Sequence, residues 1–256
     1  GLSRTRACYH HRLRKKIQSI LCSSLMRILK HIPNALTSLN LATGCLGILL
    51  VLQGYPVEAA WFVWLACLFD FFDGFAARLF KVSGNFGKEL DSLADMVSFG
   101  VLPAVQMFLL LEQQTLPPGI SYLAILIAVF SALRLAKFNI DTRQTQSFIG
   151  VPTPANALFI TALPFLPLVV QDFVFTPYVL VGLTVLTSLW LVAEFELFAL
   201  KFSNFTWRDN KTRFTFLILA ALLLVLFQAG AMAPIIILYV FISLVQYKKP
   251  QKPNLF

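Results

Sequence analysis

Long apolar segments recur along almost the whole sequence, and they restrict the chain to very few folds. Eight of them, each about 20 residues long, are separated by short polar stretches. They cover residues 34–53, 57–80, 90–112, 118–139, 151–171, 174–199, 213–229 and 231–247. Because a helix of about 20 residues crosses the hydrocarbon of a bilayer, the sequence predicts an all-α, polytopic transmembrane bundle with about eight spans. Charged residues make up only 13% of the chain, against about 25% in soluble domains.

The positions of Lys and Arg predict how this bundle is oriented. All 21 fall in the terminal segments or in every second loop, at the ends of the neighbouring helices. The loops near Tyr55, Gln113, Asp172 and Gly230 contain none. Since cytoplasmic loops are enriched in Lys and Arg, both termini are expected to be cytoplasmic. Loops with and without Lys and Arg would alternate in the same way if two neighbouring short segments formed a re-entrant pair instead of two spans. Contact with anionic lipid headgroups accounts for the net charge of +9, so no nucleic-acid partner is expected.

The sequence divides into three regions. Residues 1–32 form a basic, cytoplasmic N-terminal region, in which Ile17, Ile20, Leu21 and Leu25 recur at the spacing of an interfacial amphipathic helix. Residues 33–247 form one membrane domain, since no polar linker interrupts the apolar segments. Residues 248–256 form a cytoplasmic tail.

Four aspartates lie within "DFFDGFAARLFKVSGNFGKELDSLAD", at the end of the second apolar segment and the start of the third. An aspartate at a bilayer centre costs roughly 3 kcal/mol on insertion scales. Asp70 and Asp73 are three residues apart, and Asp91 and Asp95 are four apart, so each pair shares a helix face. The Ser-Gly-Asn turn signal between the pairs predicts antiparallel neighbouring helices whose carboxylates meet near the cytoplasmic surface.

Converging carboxylates repel one another unless a cation lies among them. Hard divalent cations such as Mg²⁺ prefer oxygen ligands, and two of them about 4 Å apart can bind a phosphate. Gly74, Ala77 and Gly87 leave room for a bulky ligand, and the Arg78 guanidinium suits a phosphate oxygen. Intramembrane ion pairs, or the cation or proton path of a transporter, would also place acids in a membrane. A transporter would need acids across the whole membrane depth, and the outer halves of the spans have almost none.

The eight residues of this pattern resemble a known signature. They are Asp70, Asp73, Gly74, Ala77, Arg78, Gly87, Asp91 and Asp95, in the spacing D-x2-D-G-x2-A-R-x8-G-x3-D-x3-D. This spacing resembles the motif of the CDP-alcohol phosphotransferase family. The resemblance implies a membrane enzyme that cleaves the pyrophosphate of a CDP-linked lipid, transfers the phosphatidyl group to an alcohol and releases CMP. The intact motif argues against a scaffold that has lost catalysis.

The family resemblance also implies roles for these residues. Asp70, Asp73 and Asp91 would bind the divalent metal, Mg²⁺ or Mn²⁺, as two ions. Asp95 would be the general base for the acceptor hydroxyl and a further metal ligand. The CDP-lipid would lie against the small residues and near the arginine, that is, against Gly74, Ala77, Arg78 and Gly87.

Five further stretches resemble the phosphatidylserine synthase branch of the family: "HIPNALTSLNLATGCLGIL", "DMVSFGVLPA", "LRLAKFN", "FIGVPTPANA" and "FALKFSNFTW". The resemblance implies CDP-diacylglycerol and L-serine as substrates, a bacterial inner (cytoplasmic) membrane and a homodimer. It also implies a six-helix catalytic core with two added C-terminal spans. The placement of Lys and Arg predicts that the active site is cytoplasmic. Asn34 and Thr37 resemble positions near the cytidine, although capping of the helix after Pro33 would explain them equally well.

The acceptor alcohol should be recognised outside the aspartate motif. Serine carries a carboxylate and an ammonium group, so its site needs a cation. Arg134 or Lys137, at the end of the fourth span, is expected to bind the serine carboxylate or a lipid phosphate. Candidate neutral partners are Asn139, which follows these two cations, and Thr153 and Asn156, which lie at the start of the next span, where helix N–H groups favour anions. Alternatively, Arg134 and Lys137 only set the orientation of the protein in the membrane. Glycerol 3-phosphate and inositol are alternative acceptors.

Overall fold

A computed structural model describes residues 31–82, 84–140, 148–197, 206–207 and 210–246. The predicted amphipathic helix and C-terminal tail lie outside them. The described residues contain ten α-helices: α1 (His31–Leu52), α2 (Pro56–Leu79), α3 (Asn85–Asp95), α4 (Leu102–Glu112), α5 (Ile125–Ile140), α6 (Thr153–Ala162), α7 (Leu168–Val174), α8 (Pro177–Val192), α9 (Lys211–Phe227) and α10 (Met232–Gln246). Two-residue strands, β1 (Phe148–Ile149) and β2 (Glu196–Leu197), pair antiparallel. The predicted all-α fold is confirmed.

Helices α3 and α4 form one continuous rod, Asn85–Glu112, joined by a π-helical turn at Met96–Val101. Pro103 follows that turn, and it has no N–H with which to continue the α-helical bond to the carbonyl of Phe99. Gly100 lies in the turn at a close approach to α5, because a Cβ there would be 3.2 Å from Ser131 Cβ. The π turn therefore directly follows Asp95, the last residue of the aspartate motif.

Five helical stretches in the described residues are long and apolar enough to cross a membrane, or six if a bent pair counts as one span. The chain is therefore an integral membrane protein. The predicted span 151–171 is that bent pair, and its two parts, Thr153–Phe165 and Leu168–Val174, meet at 118°. Pro167 precedes α7 in an extended conformation and cannot continue the preceding helix. Within the segment predicted as 174–199, helix α8 covers Pro177–Val192.

The last long apolar stretch, Lys211–Val245, is bent back on itself. The rings of Phe216 and Tyr239 are 5.6 Å apart between centroids. A straight helix would separate them by about 34 Å. The reversal lies at the short 3₁₀ turn Gln228–Ala231, where Gln228 has a φ of 48°. Helices α9 and α10 are therefore antiparallel, as the separate segments 213–229 and 231–247 predicted, and the total of eight spans stays a prediction.

Two apolar clusters hold the helices together. The larger one joins α4, α5, α6, α8 and α10, and Met107, Ile127 and Ile160 are fully buried in it. The smaller one joins α1, α2 and the π turn through residues such as Val63 and Phe99. By contrast, many large apolar side chains on the outside of the bundle are exposed, as expected of surfaces that face lipid. The smaller cluster packs α1 and α2 against the rod Asn85–Glu112, which carries Asp91 and Asp95.

Candidate active site

Three of the four aspartates converge between α2 and α3. Helix α2 ends at Leu79 and α3 begins at Asn85, so a short connection makes them antiparallel neighbours. One carboxylate oxygen from each of Asp70, Asp91 and Asp95 lies within 4.8 Å of the others. The i, i+4 spacing of Asp91 and Asp95 places both on the face of α3 that meets Asp70.

The fourth aspartate, Asp73, is held by the first helix. Its side chain is buried, and its Oδ2 accepts a hydrogen bond from Thr37 Oγ1 at 2.6 Å. The Thr37 hydroxyl also lies 3.0 Å from the carbonyl of Pro33. Asp73 is thus on the side of the acid cluster that faces α1.

The acid cluster fits a divalent cation. Among the described residues, no Lys or Arg forms an ion pair with Asp70, Asp91 or Asp95, and Asp91 Oδ1 is buried without a hydrogen-bond partner. A buried unpaired oxygen costs roughly 1–3 kcal/mol, and three neighbouring carboxylates add repulsion. Oxygen-only donor sets of this kind suit Mg²⁺ or Mn²⁺.

Asp95 has a neighbour that sequence reasoning missed. Asn40 Nδ2 donates to Asp95 Oδ1 at 3.1 Å, and Ser98 Oγ donates to the backbone carbonyl of Asn40 at 2.9 Å. Asn40 follows Thr37 by three residues, so the two share a face of α1. That spacing could have suggested Asn40, since Thr37 was already a candidate.

A pocket of about 500 Å³ opens beside the acids, between α1, the end of α2 and the start of α3. Asp73 and Asp91 line it, together with five of the six predicted CDP-lipid residues, namely Asn34, Thr37, Gly74, Ala77 and Gly87. Lys88, which sequence reasoning did not select, also lines it. A Cβ at Gly74 would meet nothing within 4 Å, whereas one at Gly87 would lie 3.2 Å from Asn34 Oδ1. The pocket thus has room for a ligand where the motif has its first glycine.

Arg78 is the predicted CDP-lipid residue that does not line this pocket. Its side chain is exposed, and its Nε donates to the carbonyl of Gly74 one turn earlier at 3.0 Å. The structure thus places this guanidinium on the exposed surface of α2, in contact with the backbone of a residue that lines the pocket.

Three of the predicted acceptor residues are buried. Arg134 is 7% exposed, and Thr153 and Asn156 are fully buried. Arg134 Nε, Thr153 Oγ1 and Asn156 Nδ2 have no hydrogen-bond partner among the described residues. Asn156 Oδ1 accepts from Trp190 Nε1 at 2.7 Å, which fixes the amide orientation. Polar atoms buried in this way require a partner such as a ligand or a water molecule.

The other two predicted acceptor residues lie nearer the surface and contact neighbouring elements. Lys137 Nζ pairs with Glu194 Oε1 at 3.0 Å, and the two side chains are 41% and 74% exposed. Asn139 Nδ2 donates to Ser92 Oγ at 2.8 Å, and its carbonyl accepts from Lys88 Nζ. These contacts join the end of α5 to α3 and to the segment after α8.

Comparison with models of protein families matches residues 30–190 to CDP-alcohol phosphatidyltransferase. The matched region runs from α1 into the last turn of α8 and contains all four aspartates. The chain belongs to the CDP-alcohol phosphatidyltransferase family. The predicted family resemblance is therefore confirmed, and α9 and α10 lie beyond the part of the chain that matches this family.

Three relatives within this family are similar over about half of the chain. The CDP-diacylglycerol–serine O-phosphatidyltransferase of Helicobacter pylori strain J99 is 36% identical over 130 residues, which are 50% of this chain and 54% of the relative. The protein of that name from Bacillus subtilis strain 168 is 35% identical over 137 residues, 54% of this chain and 77% of the relative. The archaetidylserine synthase of Methanothermobacter thermautotrophicus is 36% identical over 138 residues, 51% of this chain and 56% of the relative. The match thus spans about half the length of the Helicobacter relative.

Proposed function

We propose that this protein transfers the phosphatidyl group of CDP-diacylglycerol to L-serine, giving phosphatidylserine and CMP. The observation that carries the proposal is the convergence of Asp70, Asp91 and Asp95 beside a pocket of about 500 Å³. Membership of the family supports the transfer chemistry. The names of the Helicobacter and Bacillus relatives support serine as the acceptor.

Asp70, Asp91 and Asp95 would hold a divalent cation, Mg²⁺ or Mn²⁺, and Asp73 would contribute to a second ion. When bound, such ions neutralise the pyrophosphate and make its phosphorus more electrophilic. The chain itself contributes the alignment of the acids, since each aspartate lies on a packed helix. Thr37 fixes one Asp73 oxygen in this way.

The pocket beside the acids would bind the CDP part of the lipid. Asn34 and Thr37 supply polar groups on its α1 side, while Gly74 and Ala77 leave the α2 side free of bulky side chains. Lys88 lines the same pocket and supplies a positive charge for the pyrophosphate. Arg78, whose Nε bonds to the carbonyl of the pocket-lining Gly74, remains a candidate phosphate contact. The acyl chains would extend over the exposed apolar surface of α2, which includes Phe71 and Phe75.

Asp95 would remove the proton from the serine hydroxyl. A new bond then forms between the serine oxygen and the phosphorus that carries diacylglycerol, and the bond from that phosphorus to the CMP oxygen breaks. CMP leaves with the bonding electron pair, and the proton remains on the Asp95 carboxylate until it passes to solvent. Burial of Asp95, which is 9% exposed, limits competition by water at this position.

Serine would be held by the buried polar groups of α5 and α6. Arg134 supplies the cation for its carboxylate, and Thr153 and Asn156 supply unpaired polar atoms. Lys137 is a second candidate for the carboxylate, once released from Glu194, and Asn139 is a neutral candidate beside it. We further propose that the site faces the cytoplasm of a bacterial inner membrane, and that the protein is a homodimer.

The test is transfer by the purified full chain. CDP-diacylglycerol, labelled serine and Mg²⁺ or Mn²⁺ should yield labelled phosphatidylserine and CMP in equal amounts, and a chelator should stop the reaction. Asp95→Asn should bind CDP-diacylglycerol but turn over poorly. CMP release only with glycerol 3-phosphate or inositol would contradict serine as the acceptor. Absence of CMP release with every alcohol would contradict the proposed activity altogether.

A further inference from the structure

We propose that Asn40 is a positioning residue that orients Asp95 for proton removal, an inference that rests on the proposed function and deepens it. Asn40 lies on α1 and Asp95 on α3, 55 residues apart in sequence, and their side chains meet at 3.1 Å. Asn40 is fully buried and Asp95 is 9% exposed, so water does not compete for this hydrogen bond.

The backbone that carries Asn40 is itself fixed against the π turn. Ser98 Oγ, in the π turn, donates to the Asn40 carbonyl at 2.9 Å. One turn further along α1, Gly44 permits the close contact, because a Cβ there would lie only 2.8 Å from Ser98 Cα. Helix α1 therefore cannot move away from the π turn without breaking the hydrogen bond from Ser98 and the close contact at Gly44.

The orientation of the amide has a direct chemical consequence. Nδ2 faces the acid, since two oxygens in that position would repel each other. Its hydrogen bond occupies Asp95 Oδ1 and leaves Oδ2 to accept the proton of the acceptor hydroxyl. A bond of this kind both aims the carboxylate and selects which of its oxygens acts as the base.

The other end of the amide argues against a purely structural role. Asn40 Oδ1 is buried without a hydrogen-bond partner among the described residues. An unpaired buried acceptor costs roughly 1–3 kcal/mol, and a leucine of similar size would avoid that cost. The hydrogen bond from Nδ2 to Asp95 explains why position 40 carries an amide.

Asn40→Leu tests the proposal in the purified full chain. We expect kcat for phosphatidyl transfer to fall about 10- to 100-fold, as for other residues that orient a reacting group. The KM for CDP-diacylglycerol should change less than threefold, because Asn34 and Gly74 still line the pocket. Thr184→Val is the matched control, since Thr184 is also fully buried but donates its hydroxyl to the carbonyl of Leu180 on its own helix, α8. This control should retain kcat within about twofold.

A double-mutant cycle separates positioning from general damage to the site. If Asn40 acts through Asp95, adding Asn40→Leu to Asp95→Asn should lower the residual rate less than threefold. If the rate of the double variant instead falls by the product of the two single-variant losses, the proposal is overturned. Asn40→Ser provides a second variant, because a serine can hydrogen-bond within its own helix and should fold even where leucine does not. A wild-type kcat in Asn40→Ser would overturn the inference about Asn40 alone, whereas wild-type protein inactive with every alcohol would overturn the proposed function.

Discussion

Thr37 donates a 2.6 Å hydrogen bond to Asp73, and three residues later on the same helix Asn40 donates to Asp95. Two of the four motif acids are therefore held by α1, which contributes no residue to the aspartate motif. The helix acts as a rigid support on which the acids of α2 and α3 are aligned. This arrangement makes the first helix as relevant to catalysis as the helices that carry the acids.

Thr37→Val should weaken the use of CDP-diacylglycerol. Valine keeps the shape of threonine but leaves Asp73 Oδ2 buried without its hydrogen bond, so we expect kcat/KM to fall about 10-fold. Steady-state rates of CMP release at varied concentrations of CDP-diacylglycerol measure this kcat/KM. Ser38→Ala is the control, since the neighbouring Ser38 is exposed and hydrogen-bonds only to the carbonyl of Asn34. An equal loss in both variants would contradict a specific role for the Thr37–Asp73 bond.

Gly74→Leu should block the pocket while leaving the fold intact. A Cβ at Gly74 would meet nothing within 4 Å, so a larger side chain can extend into the pocket without displacing the helix. The expected result is a rise of at least about 10-fold in the KM for CDP-diacylglycerol with little change in thermal midpoint. Gly182→Leu on α8, where the surroundings are equally open, should change neither value. An unchanged KM in Gly74→Leu would place the CDP-lipid elsewhere.

Divalent cations should stabilise the protein through the acid cluster. Binding to the folded state raises the thermal midpoint, and here it also relieves repulsion among Asp70, Asp91 and Asp95. Thermal unfolding in detergent, with Mn²⁺ against a chelator, measures the shift. Asp91→Asn should lose most of it, and Glu58→Gln, at the exposed start of α2, should retain it. An identical shift in both variants would mean that the ion binds elsewhere.

Gly44→Ala should destabilise the bundle. The added methyl group would lie 2.8 Å from Ser98 Cα, and overpacking of this kind costs about 1–3 kcal/mol in the free energy of unfolding. Gly182→Ala is the matched helical control, and it should be neutral or slightly stabilising because alanine favours helix. Thermal midpoints of the two variants, recorded together, test the contact. A Gly44→Ala variant as stable as wild type would show that α1 can shift away from the π turn.

Arg134→Met and Lys137→Met should differ in their effect on serine. Arg134 is buried with an unpaired Nε, so its loss should raise the KM for serine about 10-fold or more. Lys137 lies in an exposed pair with Glu194, and such pairs contribute roughly 0–1 kcal/mol to stability. Its loss should change the serine KM by less than threefold, as should loss of its partner in Glu194→Gln. A larger effect for Lys137 would move serine recognition to the surface.

The sequence predicts features that depend on nearby residues. Helical spacing placed the acids on facing sides of α2 and α3, and the apolar segments on either side of Gly230 predicted the reversal between α9 and α10. Contacts between distant segments leave no such local pattern, and the Asn40–Asp95 bond joins residues 55 apart. The bend at Pro167 was missed for a different reason, since hydropathy averaged over a window does not register one missing N–H. Sequence reasoning thus found the acids but not the residue proposed to aim one of them.

The π turn after Asp95 fixes the rotational phase between the two halves of one rod. Each residue in an α-helix advances the side-chain direction by roughly 100°, so a single residue added or removed within Met96–Val101 would rotate α3 about that far relative to α4. Asp91 and Asp95 would then turn away from Asp70 while α4 kept its own packing. The length of Met96–Val101 is therefore constrained more strictly than the identity of its residues. A chain with one residue fewer there could still fold in the membrane, but Asp91 and Asp95 would face the wrong helices.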